Sequence, residues 1–147
     1  MKIAVGSDHG GLHLKNHIKE YLQQQGIEIL DCGTDTEASV DYPDYAAKVC
    51  QAVNLGEAER GILVCGTGIG VSIAANKIHG IRAALCGDVF SAKMSREHNN
   101  ANVLCMGERV LGLSLAEMIT DTWLNTEFAG GRHQRRVDKI MALEAKR

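Results

Sequence analysis

The chain has 147 residues, of which 45% are hydrophobic and 23% charged, with a formal net charge of −2. That length suits one α/β domain with a single core, and a near-neutral charge gives nucleic acid or an anionic membrane no reason to bind. Five cysteines, an odd number without a Cys-x-x-Cys pair, argue against both a disulfide framework and a zinc knuckle.

The residues Lys2-Ile3-Ala4-Val5-Gly6 predict a buried strand. Leu14, Ile18, Tyr21 and Leu22 then recur at helical spacing within 11–25, and Gly26 stops that helix. A second strand follows at 27–32. Pro43 is expected in a turn before a helix marked by Tyr45, Val49, Ala52 and Val53. A third strand covers 62–65, with Val71, Ala74, Ala75 and Ile78 on the helix after it. Strands at 81–86 and 103–106 flank a short helix around 89–97. Leu115, Met118, Ile119 and Trp123 define another helix, and Val137, Ile140 and Met141 a last one at 132–146.

Five strands alternating with helices imply a parallel sheet covered on both faces. Ligands bind such sheets beyond the C-terminal strand ends, where the strand order reverses. With the order 2-1-3-4-5, that point lies between the first and third strands, at Gly6–Gly11 and Cys65–Gly70. The apolar run Ile3-Ala4-Val5 is too short for a signal peptide, and no 18-residue apolar stretch occurs. A cytoplasmic protein with reduced thiols is the expectation.

The loop Cys65-Gly66-Thr67-Gly68-Ile69-Gly70 runs straight into a helix, so bare backbone N–H groups converge beside a helix N-terminus, a site for negative charge. Its spacing fits neither the dinucleotide fingerprint nor a Walker A loop, and the plain alternative is a tight turn needing glycine for packing. Cys65 stands at its mouth, where a helix N-terminus favours a thiolate. Cys86 and Cys105 read as inert hydrophobes at strand ends. Asp8 caps the next helix or, with His9, meets a sugar hydroxyl and a phosphate. His9, His13 and His17 fall at i, i+4 and i+8, but with no acidic or cysteine ligand joining them His13 and His17 read as solvated, and no metal site is expected.

The segment Arg96-Glu97-His98-Asn99-Asn100-Ala101-Asn102 puts a dense polar cluster before the fifth strand, read as lying at the same sheet edge as the glycine loop. Arg109 follows the fifth strand. Arg132 and Arg136 share a helix face, an arrangement suited to a phosphate, with a solvated face as the default. The last sixteen residues carry Arg132, Arg135, Arg136, Lys139, Lys146 and Arg147 against Asp138 and Glu144, a charge of +4 on a body of −6. A basic segment on an acidic body fits a small anion or a neighbouring subunit.

These segments, together with Asp41-Tyr42-Pro43-Asp44-Tyr45-Ala46, Ala74-Ala75-Asn76-Lys77, Gly80-Ile81-Arg82-Ala83-Ala84 and Gly130-Gly131-Arg132-His133, closely resemble the type B ribose-5-phosphate isomerases. That family includes allose-6-phosphate isomerases and the subunits of galactose-6-phosphate isomerase. The resemblance spans nearly the whole chain and implies a single sugar-phosphate isomerase domain over 1–147. It implies a Rossmann-like three-layer αβα sandwich with an extra C-terminal helix, and a homodimer or dimer of dimers with shared active sites. By the same resemblance, Cys65 is the base that moves a proton between C2 and C1 of ribose 5-phosphate, through a cis-enediolate, in the non-oxidative pentose phosphate pathway. His98, helped by Asp8, opens the furanose ring. Thr67 and Asn99 attend the enediolate oxygens, and the amides of Gly66, Gly68, Ile69 and Gly70 form the anion hole. His9, Arg109, Arg132 and Arg136 hold the phosphate, and Tyr42 lines the sugar pocket. No metal or other cofactor is implied. Another branch of the family has glutamate where this chain has Val71 and lacks the cysteine. A six-carbon sugar phosphate stays open as substrate. A nucleotide-binding module is the rival from another class, but it leaves Cys65 and His98 without a task, and a flavodoxin-like carrier would need more aromatic residues.

Overall fold

The computed structural model describes residues 1–146; Arg147, counted in the basic tail, lies outside them. The strands β1 (Lys2–Ser7), β2 (Glu28–Asp31), β3 (Arg60–Cys65), β4 (Ala83–Leu85) and β5 (Val103–Gly107) form one parallel sheet. The helices are α1 (Leu12–Gln23), α2 (Tyr42–Asn54), α3 (Ile69–Asn76), α4 (Val89–Glu97), α5 (Leu113–Asn125) and α6 (Arg132–Ala142). Pro43 belongs to the first turn of α2 rather than to a turn before it. Its missing N–H would have had no helical acceptor there. The last expected helix ends at Ala142 and continues as a 3₁₀ turn, Leu143–Lys146.

Alternation along each central strand feeds two cores. Ile3 and Val5, Ile62 and Val64, and Leu104 and Met106 face α1, α4 and α5. Ala4, Leu63 and Cys65, and Val103 and Cys105 face α2 and α3. Cys65 therefore points to the α2–α3 side.

The strand order is β2-β1-β3-β5-β4, not the 2-1-3-4-5 expected from chain order. Burial explains the exchange. All five residues of β5 are buried, whereas β4 is three residues long, has none fully buried, and ends on exposed Leu85. The short strand takes the edge and the buried one sits inside. Crossover handedness agrees with this order. The β3-to-β4 connection runs outward with α3 on one face, and the β4-to-β5 connection turns back with α4 on the other. A right-handed crossover must change face when its direction reverses.

Lys15 on α1 is buried, with 1% of its side chain exposed. Its Nζ donates to Asp31 Oδ1 at 2.9 Å, to Asp31 Oδ2 at 3.1 Å and to the Thr34 carbonyl at 2.6 Å. Burial alone would raise the Asp31 carboxyl. Lys15, the Gly33 N–H and Lys19 overcome it and hold the group below the ordinary carboxylate value of 3.8. Because the folded value is the lower one, this stabilisation is complete at neutral pH and is lost as pH falls below 3.8. Lys15→Met leaves the Thr34 carbonyl without its donor and Asp31 short of one. It should cost about 2–3 kcal/mol, lowering the thermal midpoint by roughly 5–10 °C, measured by calorimetry at pH 7.

Candidate active site

Three loops meet beyond the C-terminal ends of β1, β3 and β5. After β1, Asp8 Oδ1 accepts the N–H groups of Gly10 and Gly11 at 2.9 and 3.1 Å, so the capping role foreseen for Asp8 is present. After β5, the Glu108 and Arg109 N–H groups donate to the carbonyls of Cys65 and Gly66 at 2.9 and 3.0 Å. Glu108 Oε1 in turn accepts the Leu14 N–H at 2.7 Å, taking up an otherwise orphaned donor in the first turn of α1. The bonds from Glu108 and Arg109 fix the start of the glycine loop, and Glu108 ties that end of β5 to α1.

Close packing explains the glycines. A Cβ on Gly11 would come 2.4 Å from the Val64 carbonyl oxygen, and one on Gly70 would come 2.6 Å from the Tyr42 ring. Gly68 has φ +79°, a conformation open chiefly to glycine, and begins α3 without a side-chain cap. Tyr42 thus lies over Gly70, and the Arg109 side chain lies beside Gly66. Thr67 is exposed, and its Oγ1 accepts the Ile69 N–H at 3.2 Å. The N–H of Gly68 donates to Cys65 Sγ at 3.1 Å. Of the loop amides assigned to an anion hole, Gly68 and Ile69 are therefore already engaged within the loop in the free site.

The five cysteines are not equivalent. Burial pushes the Cys50 thiol up to about 12 and the Cys86 thiol to about 11, and raises Cys105 as well. Cys32 is raised by burial and then by Asp31. Among the described residues, Cys65 alone accepts a backbone N–H at sulfur. Cys105 lies in the middle of β5, not at its end, because the strand continues to Gly107.

His9 is half-buried, and its Nδ1 accepts the Val40 N–H at 3.2 Å. A backbone amide can only donate, so the proton of neutral His9 sits on Nε2, ready to donate to an anion. His13 is exposed beside Glu37. His17, expected to be solvated, is instead bonded through Nε2 to Glu117 Oε2 at 2.7 Å, since α5 packs along α1. Among the described residues, no group of three or more His, Cys, Asp and Glu side chains is placed to hold a metal ion.

The 96–102 segment is not at the edge that carries Cys65. Gly61 pairs with Val103 and Cys65 with Gly107, so residues just before β5 lie at the N-terminal edge of the sheet. Four residues of strand, about 13 Å, separate the two levels. The misreading came from treating a segment next to a strand as lying at its C-terminal end. Much of the cluster holds the fold. The buried Arg96 guanidinium donates to Asn100 Oδ1 at 2.9 Å and to the Ala101 carbonyl at 2.6 Å. Asn102 bonds the Arg82 N–H and the Gly80 carbonyl. The side chains of half-buried His98 and exposed Asn99 take no part in these bonds. Helix α6 and the 3₁₀ turn after it dock at this same edge, through Arg82 to Met141 Sδ and the Gly80 N–H to Glu144. Arg132 and Arg136 stay exposed. The residues expected in the site thus fall into two groups on one chain: Asp8, His9, Tyr42, Cys65, Thr67, the glycine loop and Arg109, and separately His98, Asn99, Arg132 and Arg136.

Sequence reasoning passed over Glu108 and assigned no role to His133, whose ring stacks on His98 with centroids 4.2 Å apart. Glu108 stood beside Arg109 after a strand end, a usable signal. No periodicity could have paired His133 with His98.

Residues 3–140 match the ribose/galactose isomerase family. The chain belongs to that family. Among its members, ribose-5-phosphate isomerase B of Escherichia coli is 53% identical over 146 residues, covering 99% of this chain and 98% of that protein. The D-erythrulose-4-phosphate isomerase of Pectobacterium atrosepticum is 47% identical over 141 residues, covering 95% of this chain and 93% of its own. The solved structure of Clostridium thermocellum ribose-5-phosphate isomerase B superposes with a TM-score of 0.98 at 58% identity, covering 99% of both chains. The fold of this ribose/galactose isomerase is thus that of solved isomerases, αβα layers included.

Proposed function

We propose that this chain interconverts D-ribose 5-phosphate and D-ribulose 5-phosphate in the cytoplasm, as part of the non-oxidative pentose phosphate pathway, through a cis-enediolate with Cys65 as the base. The observation that carries the reading is a cysteine sulfur accepting a backbone N–H in a glycine loop that opens a helix without a side-chain cap. Proton removal at C2 places negative charge on the substrate oxygens, and preorganised N–H donors beside a helix N-terminus stabilise it. Thr67 Oγ1 and Asn99 serve those oxygens, and Tyr42 closes the sugar pocket. His9, through Nε2–H, binds the phosphate with Arg109. That phosphate is a remote handle whose binding energy orients the reacting carbons. The chemistry asks for no metal or other cofactor.

The second group acts as a half-site that reaches the first from another copy of the chain. Its 13 Å offset argues for this, as does the surface between. Ile69, in the glycine loop, and Ile73, one turn further along α3, are exposed at i, i+4. A groove of 530 Å³ runs between β4 and α6, with Ile81, Ala83, Ile140 and Leu143 among its lining residues. A two-fold pairing of these apolar surfaces would bring His98, Asn99, Arg132 and Arg136 of one copy to Cys65 of the other. His98 would open the furanose ring, with Asp8 assisting.

An assay of ribose 5-phosphate beside allose 6-phosphate, galactose 6-phosphate and erythrulose 4-phosphate tests the substrate. We expect kcat/KM for the pentose to exceed the others by about tenfold or more, the discrimination available from one carbon unit. A higher value for any other sugar phosphate would overturn the assignment.

A further inference from the structure

His133 has no task in the reaction as set out above, yet its ring stacks on that of His98. It stands on the first turn of α6, beside Arg132 and one turn from Arg136. Its imidazole lies over that of His98 with centroids 4.2 Å apart and planes 10° from parallel. His98 is the last residue before the chain leaves α4, held by its own N–H to Met94, and Glu97 Oε1 approaches its Nε2 at 4.0 Å. The Ala129 N–H bonds the Glu97 carbonyl at 3.0 Å, so the segment leading into α6 is tied to the same end of α4. A side chain at a helix end with one carboxylate neighbour could rotate about χ2, and a flat ring stacked on it removes that freedom.

We propose that His133 is a positioning residue for His98. Its ring fixes the plane in which the His98 imidazole can give or take a proton, so the helix that grips the phosphate also aims the group that opens the sugar ring. This rests on the assignment of His98 to ring opening and of Arg132 and Arg136 to the phosphate. Two stacked imidazoles disfavour double protonation, and the flanking cations act on His133. Partial desolvation, then His98, Arg132 and Arg136, hold His133 below the ordinary histidine value.

Three variants test this in the intact enzyme: His133→Ala, which removes the ring, His133→Phe, which keeps a flat ring, and His98→Asn as the reference. His133→Ala should lower kcat for ribose 5-phosphate about tenfold, the upper range of one stacked aromatic pair, with KM changed less than about twofold. Proton exchange at C1 of ribulose 5-phosphate, which cannot close a furanose, should fall far less. His133→Phe should recover most of the loss. In NMR spectra, the His98 ring protons should lose their upfield ring-current shift in His133→Ala and keep it in His133→Phe. Unmoved His98 resonances in His133→Ala would overturn the positioning role whatever the activity. So would a rise in KM shared equally by both His133 variants, which would make His133 a phosphate contact. A His98→Asn enzyme with normal ribose 5-phosphate turnover would instead sink the ring-opening assignment, and the NMR result would still decide the stacking.

Discussion

Mixing two inactive variants should restore about a quarter of wild-type activity. The variants are Cys65→Ala and the double mutant Arg132→Ala/Arg136→Ala, each expected to be nearly inactive alone. Every proposed site takes its cysteine from one copy and its arginines from the other. In a mixed dimer, one site then receives both lesions and the other receives none. Random exchange makes about half the dimers mixed, and half the sites in those are intact. The arginines are suited to this experiment because they are exposed on a helix with one buried residue, Val137. Removing them leaves the core untouched. Subunit exchange is followed by mass spectrometry and activity by ribulose 5-phosphate formation. Complete exchange without recovery would place both half-sites within one chain's reach, against the 13 Å offset between the Cys65 and Val103 levels of the sheet.

Much of this arrangement was legible in the residues themselves. Alternating runs such as Ile3-Ala4-Val5 and Ile62-Leu63-Val64, each buried on both faces, announced the central strands. The glycines between Cys65 and Gly70 announced the tight turn into α3, where Gly68 takes a positive φ and Gly70 has no room for a Cβ. What the residues concealed were relations across the sheet. Chain order placed β4 beside β3, and only the shortness and exposure of Ala83–Leu85 send it to the edge. The polar run from Arg96 to Asn102 looked like one site. Instead Arg96, Asn100 and Asn102 tie loops together at the sheet's N-terminal edge, leaving His98 and Asn99. The burial of Lys15 depends on Asp31 and Thr34, which no helical periodicity connects to it. The stacking of His133 on His98 joins two helices remote in sequence and was invisible for the same reason.

Cys65→Ala should reduce isomerisation by about 10²–10⁴-fold, the range expected when a positioned proton-transfer group is lost. The fold should persist, since the change removes one sulfur from a strand end whose neighbours Leu63, Val71 and Ala75 remain packed, at a cost of about 1 kcal/mol. The other four cysteines cannot substitute, because burial raises their thiols and none accepts a backbone N–H at sulfur among the described residues. The decisive measurement is exchange of the C1 proton of ribulose 5-phosphate with deuterated water, followed by NMR alongside turnover of ribose 5-phosphate. It isolates proton transfer from ring opening and from phosphate binding. With Cys65 as the base, Cys65→Ala loses exchange and turnover together, while circular dichroism and the state of association stay those of the wild type. Exchange continuing at a near-normal rate in that variant would contradict the assignment and move the proton transfer to another group.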